Sequence, residues 1–389
     1  MEMKILIVGG GSGDVGRDLT RLLLQDKTNI KHITITSRDI QKAEKFIDEL
    51  NDQRLSAKQV DVTNQQQLID TINDHDLVIN TIGPFSKYAL PVMKATIQAK
   101  VNYIDICDDI EPTVEALQLN EFAEKAGIFL ILGMGWFPGM SNLRAMALAK
   151  EMDSVEEIVT AWVAGRKSPE DIPSLGLAGT QHFIEALTGK IISYRDGHRV
   201  RIPASQKGVK LKFPEPIGCC ICYQIEHPEV ATLPYSIPGV KTASNLMSLY
   251  PPNRNKSILM FAKAITFKLL SINTTTKLFG LLGKSKKKRT LPCMIGDYIS
   301  LIGWKDGEKG QLSYIAVNEK LTVAEATSQP LACAVFHLLH KNNIRPGVHL
   351  AEKSIDIEEI IKYGKKFNFA FVKDVNEKTI WSEKIVSIE

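Results

Sequence analysis

Apolar positions in the first 150 residues fall into two alternating rhythms. Short runs at Ile5–Val8, Ile33–Thr36, Ser56–Asp61, Leu77–Asn80, Tyr103–Ile106 and Ile128–Leu132 read as six strands. Between them the spacing changes to that of helices. Val15, Leu19, Leu22 and Leu23 share one face, and so do Ala43, Phe46, Ile47 and Leu50. A short helix capped by Thr63 carries Leu68, Ile69 and Ile72, and further helices fall at 88–99 and 112–126. Parallel strands need crossovers that cover both faces of the sheet, so this order predicts an α/β fold with an N-terminal doubly wound parallel sheet of Rossmann type.

The rhythm changes after about residue 150. Val155–Ala164 and Val209–Phe213 read as strands and Thr180–Leu187 as a helix, and Pro and Gly recur from 189 to 254. Pro330 through Asn342 and Asp356–Phe367 read as helices, and a short hairpin is expected at Asp374–Glu377. The expected organisation is a dinucleotide-binding domain over 1–145, then a mixed α/β domain for substrate and dimerisation over 146–328. An amphipathic insertion lies near 255–290, and 329–389 returns to the first domain.

The chain has 389 residues, 44% hydrophobic and 24% charged, with a net charge of +4. These values suit a soluble globular protein and give no basic stripe for nucleic acid. The six cysteines have no framework spacing and no run reaches membrane-spanning length, so a reduced, cytoplasmic protein is expected. The stretch 257–289 mixes apolar residues with lysines and ends in Lys-Ser-Lys-Lys-Lys-Arg. Packed helices and a solvated basic loop are the expectation there, ahead of contact with a membrane surface.

Chemistry enters at residues 9–16. Gly11, Gly13 and Gly16 satisfy G-x-G-x-x-G, and Gly10, Gly13 and Gly16 satisfy G-x-x-G-x-x-G, directly after a strand and at the start of a helix. Glycines there let the main chain approach a pyrophosphate, which the helix N-terminus attracts. Gly10, Gly11, Ser12, Gly13, Asp14, Val15 and Gly16 are therefore expected to hold a dinucleotide. The second strand runs into Ser37-Arg38-Asp39. An arginine there favours the 2′-phosphate of NADP over NAD, with Asp39 left to cap the next helix; the alternative leaves Arg38 in solvent and Asp39 on the ribose. Asp61 and Val62 stand where an adenine edge is expected, and Asn80, Gly83, Pro84 and Phe85 beside ribose and nicotinamide.

Four segments together resemble the saccharopine dehydrogenase (saccharopine reductase-like) family: 7–16, Val-Ile-Asn-Thr-Ile-Gly-Pro-Phe at 78–85, Tyr-Ile-Asp at 103–105, and Gly-Met-Gly-Trp-Phe-Pro-Gly-Met-Ser-Asn at 133–142. Thr-Leu-Pro at 232–234 and Arg-Pro-Gly-Val-His-Leu-Ala-Glu at 345–352 are similar to its later segments. The resemblance implies an NAD(P)-linked oxidoreductase, often dimeric, whose hydride adds to or leaves a carbon bonded to nitrogen in an amino-acid or polyamine derivative. The chain departs from the family in its longer glycine turn and the insertion near 255–290.

Catalytic candidates are fewer. Tyr103, Asp105 and Asp108 follow the fifth strand, with a structural aspartate as the competing explanation. Gly135, Trp136 and Phe137 are expected near the nicotinamide, as an apolar wall and a source of N–H groups. For a carboxylate substrate, Arg195, Arg199, Arg201, His182 and His227 are candidates, although Asp196-Gly197 also reads as a plain hairpin turn. Cys219–Cys222 alternates as a strand would, and Cys333, His337 and His340 share a helical face; packing is favoured over metal binding for both. The expected function is an NADP-dependent oxidoreductase acting on a small amino-acid-like substrate, as a homodimer. The alternative is a non-catalytic nucleotide sensor or membrane-associated scaffold.

Overall fold

A computed structural model describes residues 2–166, 184, 186–204, 208–252, 254–282, 293–341 and 344–383. The expectations at 180–183 and 185, including His182, and at the basic run 284–289 lie outside the described residues. The chain divides into two compact units, Met1–Met140 with Ala324–Phe369, and Ser141–Val323 with Ala370–Glu389.

The first unit is built on a seven-stranded parallel sheet. Its strands are β1 (Met3–Val8), β2 (Ile30–Ser37), β3 (Leu55–Gln59), β4 (Leu77–Asn80), β5 (Asn102–Asp105), β6 (Phe129–Leu132) and β15 (Gly347–Leu350), in the order β15-β6-β5-β4-β1-β2-β3. Ile5, Leu6, Ile7 and Val8 are all fully buried, as a strand covered on both faces requires. Strand order reverses between β1 and β4, so the carboxyl ends of these two strands open the crevice in which such sheets bind ligands.

The helices of the first part of the chain are α1 (Asp14–Leu23), α2 (Ile40–Leu50), α3 (Gln65–Ile72), α4 (Phe85–Ala99), α5 (Ile110–Leu117) and α6 (Asn120–Ala126). Three local expectations are corrected here. Asn64, not Thr63, caps α3, its side chain accepting from the Gln67 N–H, because Thr63 is held by the Asp61 carboxylate. The helix expected over 112–126 is two, α5 and α6. The helix expected from Pro330 runs over Val323–His340 with Pro330 inside it. Loss of one backbone donor is outweighed there by a buried run from Ala326 through Leu338 that packs on nearly every side.

The second unit carries a nine-stranded mixed sheet. Its strands are β7 (Ser154–Arg166), β8 (Lys190–Arg195), β9 (His198–Pro203), β10 (Val209–Lys212), β11 (Cys219–Gln224), β12 (Thr242–Tyr250), β13 (Cys293–Lys305), β14 (Glu308–Asn318) and β16 (Val375–Ser382). Val159, Ala161, Val163, Phe213, Met294 and Tyr298 form its main core. The expected hairpin at 374–377 is absent: Ala370–Lys373 is a helical turn, and β16 pairs antiparallel with β14 some sixty residues earlier. That partner is too distant for local periodicity to reveal. Helix α7 (Met140–Ala149) follows β6, and helices α8 (Glu229–Ser236), α9 (Arg254–Thr266) and α10 (Ile272–Leu282) belong to this unit.

Candidate functional site

The turn after β1 is held from the neighbouring strand. Gly9 has φ +85°, open to glycine at little cost, and its N–H donates to Thr36 Oγ1 at 3.1 Å, while the Gly11 N–H donates to the Thr36 carbonyl at 3.1 Å. On the far side, the Thr81 N–H and hydroxyl both donate to the Val8 carbonyl at 3.0 Å, joining the β1 and β4 loops. Gly16 lets α1 lie close to this turn: a Cβ there would stand 2.7 Å from Gly10 Cα and 2.8 Å from Thr81 Oγ1. Gly13 differs. It is the N-cap of α1 at φ −79°, it provides no side-chain cap, and a Cβ there would meet only the Gly9 carbonyl at 3.4 Å. The space beside Gly13 is thus open, the shape that a pyrophosphate cradle requires.

At the tip of β2, Ser37 is buried and its Oγ accepts from the Asp39 N–H at 3.1 Å. Asp39 caps α2 by accepting from the Lys42 N–H at 3.3 Å and pairs with Lys42 Nζ at 2.8 Å. Arg38 is exposed, with its backbone carbonyl tied to Gln59 Nε2 at 2.9 Å. Asp61 accepts from the Thr63 N–H and hydroxyl, which hold its carboxyl below the usual range, and the charges of Arg38 and Lys87 lower it further. Val62 is buried beside it. The residue types present fit an NADP: open backbone at Gly13, an exposed arginine at the β2 tip, and a carboxylate already engaged as a helix cap. Sequence reasoning did not single out Thr36, Thr81 (placed only as part of the loop 80–85) or Lys87. A threonine two residues before the β2 tip and one just after Asn80 were the available signals for the first two.

Asn80, Tyr103 and Asp105 form one buried network. Asn80 Nδ2 donates to Tyr103 Oη at 3.0 Å, and Tyr103 Oη donates to Asp105 Oδ2 at 2.8 Å. Asp105 Oδ1 accepts from the N–H groups of Cys107 at 3.1 Å and Gly133 at 2.7 Å. All three side chains are 0% exposed, so Tyr103 and Asp105 knit β4, β5 and the loop after β6 together rather than standing at a surface. Burial raises the Asp105 carboxyl to about 6, against the pull of its three donors, and pushes the Tyr103 hydroxyl and Cys107 thiol up as well. Asp108 is half-buried, and Asp109 Oδ2 accepts from the Ser86 N–H at 2.6 Å, bracing the Gly83-Pro84-Phe85 turn. In the loop after β6, the Gly135 N–H donates to the Pro138 carbonyl at 2.9 Å and the Met140 N–H to the Gly135 carbonyl at 3.0 Å. This tight loop sets Trp136 edge-on to Phe137, with ring centroids 5.2 Å apart.

In the second unit, Arg195 pairs with His198 across the Asp196-Gly197 turn, where φ is +50° and +80°. Arg199 and Arg201 continue along the same two-residue hairpin, which accounts for the run structurally. His227 is buried, with Nδ1 2.5 Å from Glu229 Oε2. Ser141 Oγ is 2.8 Å from Glu229 Oε1, and Asn142 Nδ2 donates to Thr232 Oγ1 at 2.9 Å. Cys220 and Cys222 point into the core with their sulfurs 3.7 Å apart. Cys333 is buried, His337 faces Glu359 at 3.4 Å and His340 Nδ1 lies 2.9 Å from the Phe336 carbonyl.

Residues 5–131 match the family model described as the saccharopine dehydrogenase NADP binding domain. The carboxynorspermidine synthase of Vibrio cholerae is 29% identical over 263 residues, 61% of this chain and 61% of that protein. The carboxynorspermidine synthase of Vibrio alginolyticus is 27% identical over the same shares. The chain thus spans about three-fifths of the length of the curated relatives it matches. Among solved structures, the apo saccharopine dehydrogenase (L-Glu forming) of Saccharomyces cerevisiae superposes with a TM-score of 0.70. That match covers 97% of this chain and all of the yeast chain at 16% identity, and establishes the shared α/β fold.

Proposed function

We propose that this chain, whose residues 5–131 match the NADP-binding domain of the saccharopine dehydrogenase family, is an NADP-dependent oxidoreductase. It moves a hydride at a C–N centre of a small amino-acid-derived substrate. The observation that carries the reading is the β2 tip: Arg38 stands exposed beside Ser37, while Asp39 is spent on α2 and Lys42. NADP, when bound, supplies the hydride chemistry. The chain's own residues do the rest. The glycine turn and the N-terminus of α1 hold the pyrophosphate, Ser37 and Arg38 take the 2′-phosphate, and the loop after Asn80, from Thr81 to Phe85, borders the ribose and nicotinamide. Asp105 and Tyr103 act behind that surface by fixing the loops at 81–85 and 133–139. Trp136 and Phe137 keep water from the reacting carbon. The two Vibrio relatives carry the name carboxynorspermidine synthase, which favours amine-containing substrates.

The test is NADPH oxidation over a panel of amine or amino-acid partners combined with aldehydes or oxo-acids. Turnover of at least one pair, abolished by removing either partner, is the expected result. Tight NADPH binding with no turnover across the panel would reject the enzymatic reading in favour of a nucleotide sensor.

A further inference from the structure

The second unit contains a segment whose charge and exposure do not suit a helix pair that simply packs on its own protein. Residues 254–289 contain ten Lys and Arg and no Asp or Glu. With a whole-chain net charge of +4, everything outside the segment carries a net −6. Within its described part, α9 presents Lys256, Met260 and Lys263 at spacings of four and three, and Phe267 continues that stripe just beyond the helix end. Met260 is 64% exposed, Phe267 72%, Leu269 75% and Leu278 41%. Lys256, Lys263, Lys268 and Lys277 are exposed among them.

These apolar tips are held out by a defined turn, not by a fraying end. Lys268 takes the left-handed conformation at φ +59°, its N–H donating to the Ile265 carbonyl and that of Leu269 to the Ala264 carbonyl, both at 2.8 Å. The other side of α9 is anchored. Ala262 packs with Met247 and Leu249 of β12, Asn255 Oδ1 accepts from the Leu249 N–H at 2.8 Å, and Thr266 Oγ1 accepts from the Gly189 N–H at 3.1 Å. The helix is thus packed on one side, and these side chains stand outside that packing.

We propose that this face is a peripheral docking surface for an anionic lipid bilayer. Apolar tips on a turn between two helices need no matching pocket when the occupant is a bilayer, whereas a protein partner would have to supply one. Lysines interleaved with them place ammonium groups at headgroup level, their stems lying along the apolar boundary. The charge complements anionic lipid: residues 254–282 contain five Lys and Arg and no Asp or Glu. Docking is peripheral: among the described residues no helix is long and apolar enough to cross a membrane.

Co-sedimentation of the full chain with vesicles tests this directly. The chain pellets with phosphatidylcholine vesicles containing about one-third phosphatidylglycerol, does not pellet with phosphatidylcholine alone, and is released in ~0.5 M salt. Phe267→Ser with Leu269→Ser, and separately Lys256, Lys263, Lys268 and Lys277 all →Glu, each reduce the pelleted fraction by roughly five-fold or more, with melting temperature and NADPH binding unchanged. No pelleting, equal pelleting on neutral vesicles, or pelleting indifferent to both variants overturns the proposal. It is also overturned if sedimentation velocity shows a dimer that the Phe267/Leu269 variant dissociates and vesicles do not displace, which assigns the face to a second copy.

Discussion

Replacing Asp105 with Asn isolates the energetic cost of a buried carboxylate held by three donors. In the folded chain its carboxyl is raised from 3.8 to about 6 by burial, so the folded state favours the protonated form. The stability this group contributes is fully present below the unfolded value and is lost as pH rises through about 6. A rise of roughly two units at 1.36 kcal/mol per unit is worth about 3 kcal/mol, of which about 2 kcal/mol is lost between about pH 4.5 and 7.5. Carboxylates lowered on folding act in the opposite sense. Glu156 and Glu359, each held at about 2 by hydrogen bonds from lysines, contribute stability that is present above the usual Glu value and lost in acid. They are common to both proteins and cancel in the difference. An amide at 105 can still accept from the Cys107 and Gly133 N–H groups, but it offers Tyr103 Oη a second donor where that hydroxyl now has an acceptor. That mismatch adds a destabilisation of about 1–3 kcal/mol that does not vary with pH. Urea unfolding of the full chain at the two pH values gives the double difference. Asp105→Asn should gain about 2 kcal/mol on wild type from the acid to the neutral measurement. A difference that stays constant with pH, or moves the other way, refutes a neutral-leaning buried carboxyl and the role of burial in setting it.

Two further substitutions separate cofactor chemistry from folding. Arg38→Ala should weaken NADPH by about 10- to 100-fold, the loss of charge-assisted hydrogen bonds to one phosphate, while NADH changes by no more than about two-fold; fluorescence titration of both nucleotides checks it, and equal losses reject the 2′-phosphate assignment. Gly16→Ala should cost about 1–3 kcal/mol, because its methyl would sit against Gly10 and Thr81, whereas Gly13→Ala should leave the melting temperature within about 2 °C and weaken NADPH at least ~10-fold. A Gly13→Ala protein that binds NADPH normally would remove the pyrophosphate from this turn.

What could be read from the chain divides by the distance over which each feature is decided. The β1 run, the glycine turn and the Ser37-Arg38-Asp39 tip are local. A buried strand, a positive φ and a helix cap are each settled within a few residues, so the parallel sheet and the shape of the glycine turn were legible from spacing. Asp39 as the cap of α2 was legible for the same reason. Features that depend on a distant partner were not. β16 exists because β14 offers a free edge, the helix through Pro330 persists because its surroundings bury it, and Thr63 yields its capping role because Asp61 takes its hydroxyl. The same reasoning explains why Tyr103 and Asp105 looked like candidates for catalysis. Their residue types and their place at a strand end suit either a reacting group or a brace. Only the Gly133 N–H, twenty-eight residues on, shows Asp105 turned inward to clamp a loop. Residues at the carboxyl edge of this sheet thus carry two burdens, and burial decides between them. Those with open space beside them, such as Gly13 and Arg38, can meet a ligand. Those fully enclosed, such as Asn80, Tyr103 and Asp105, determine where the first group stands.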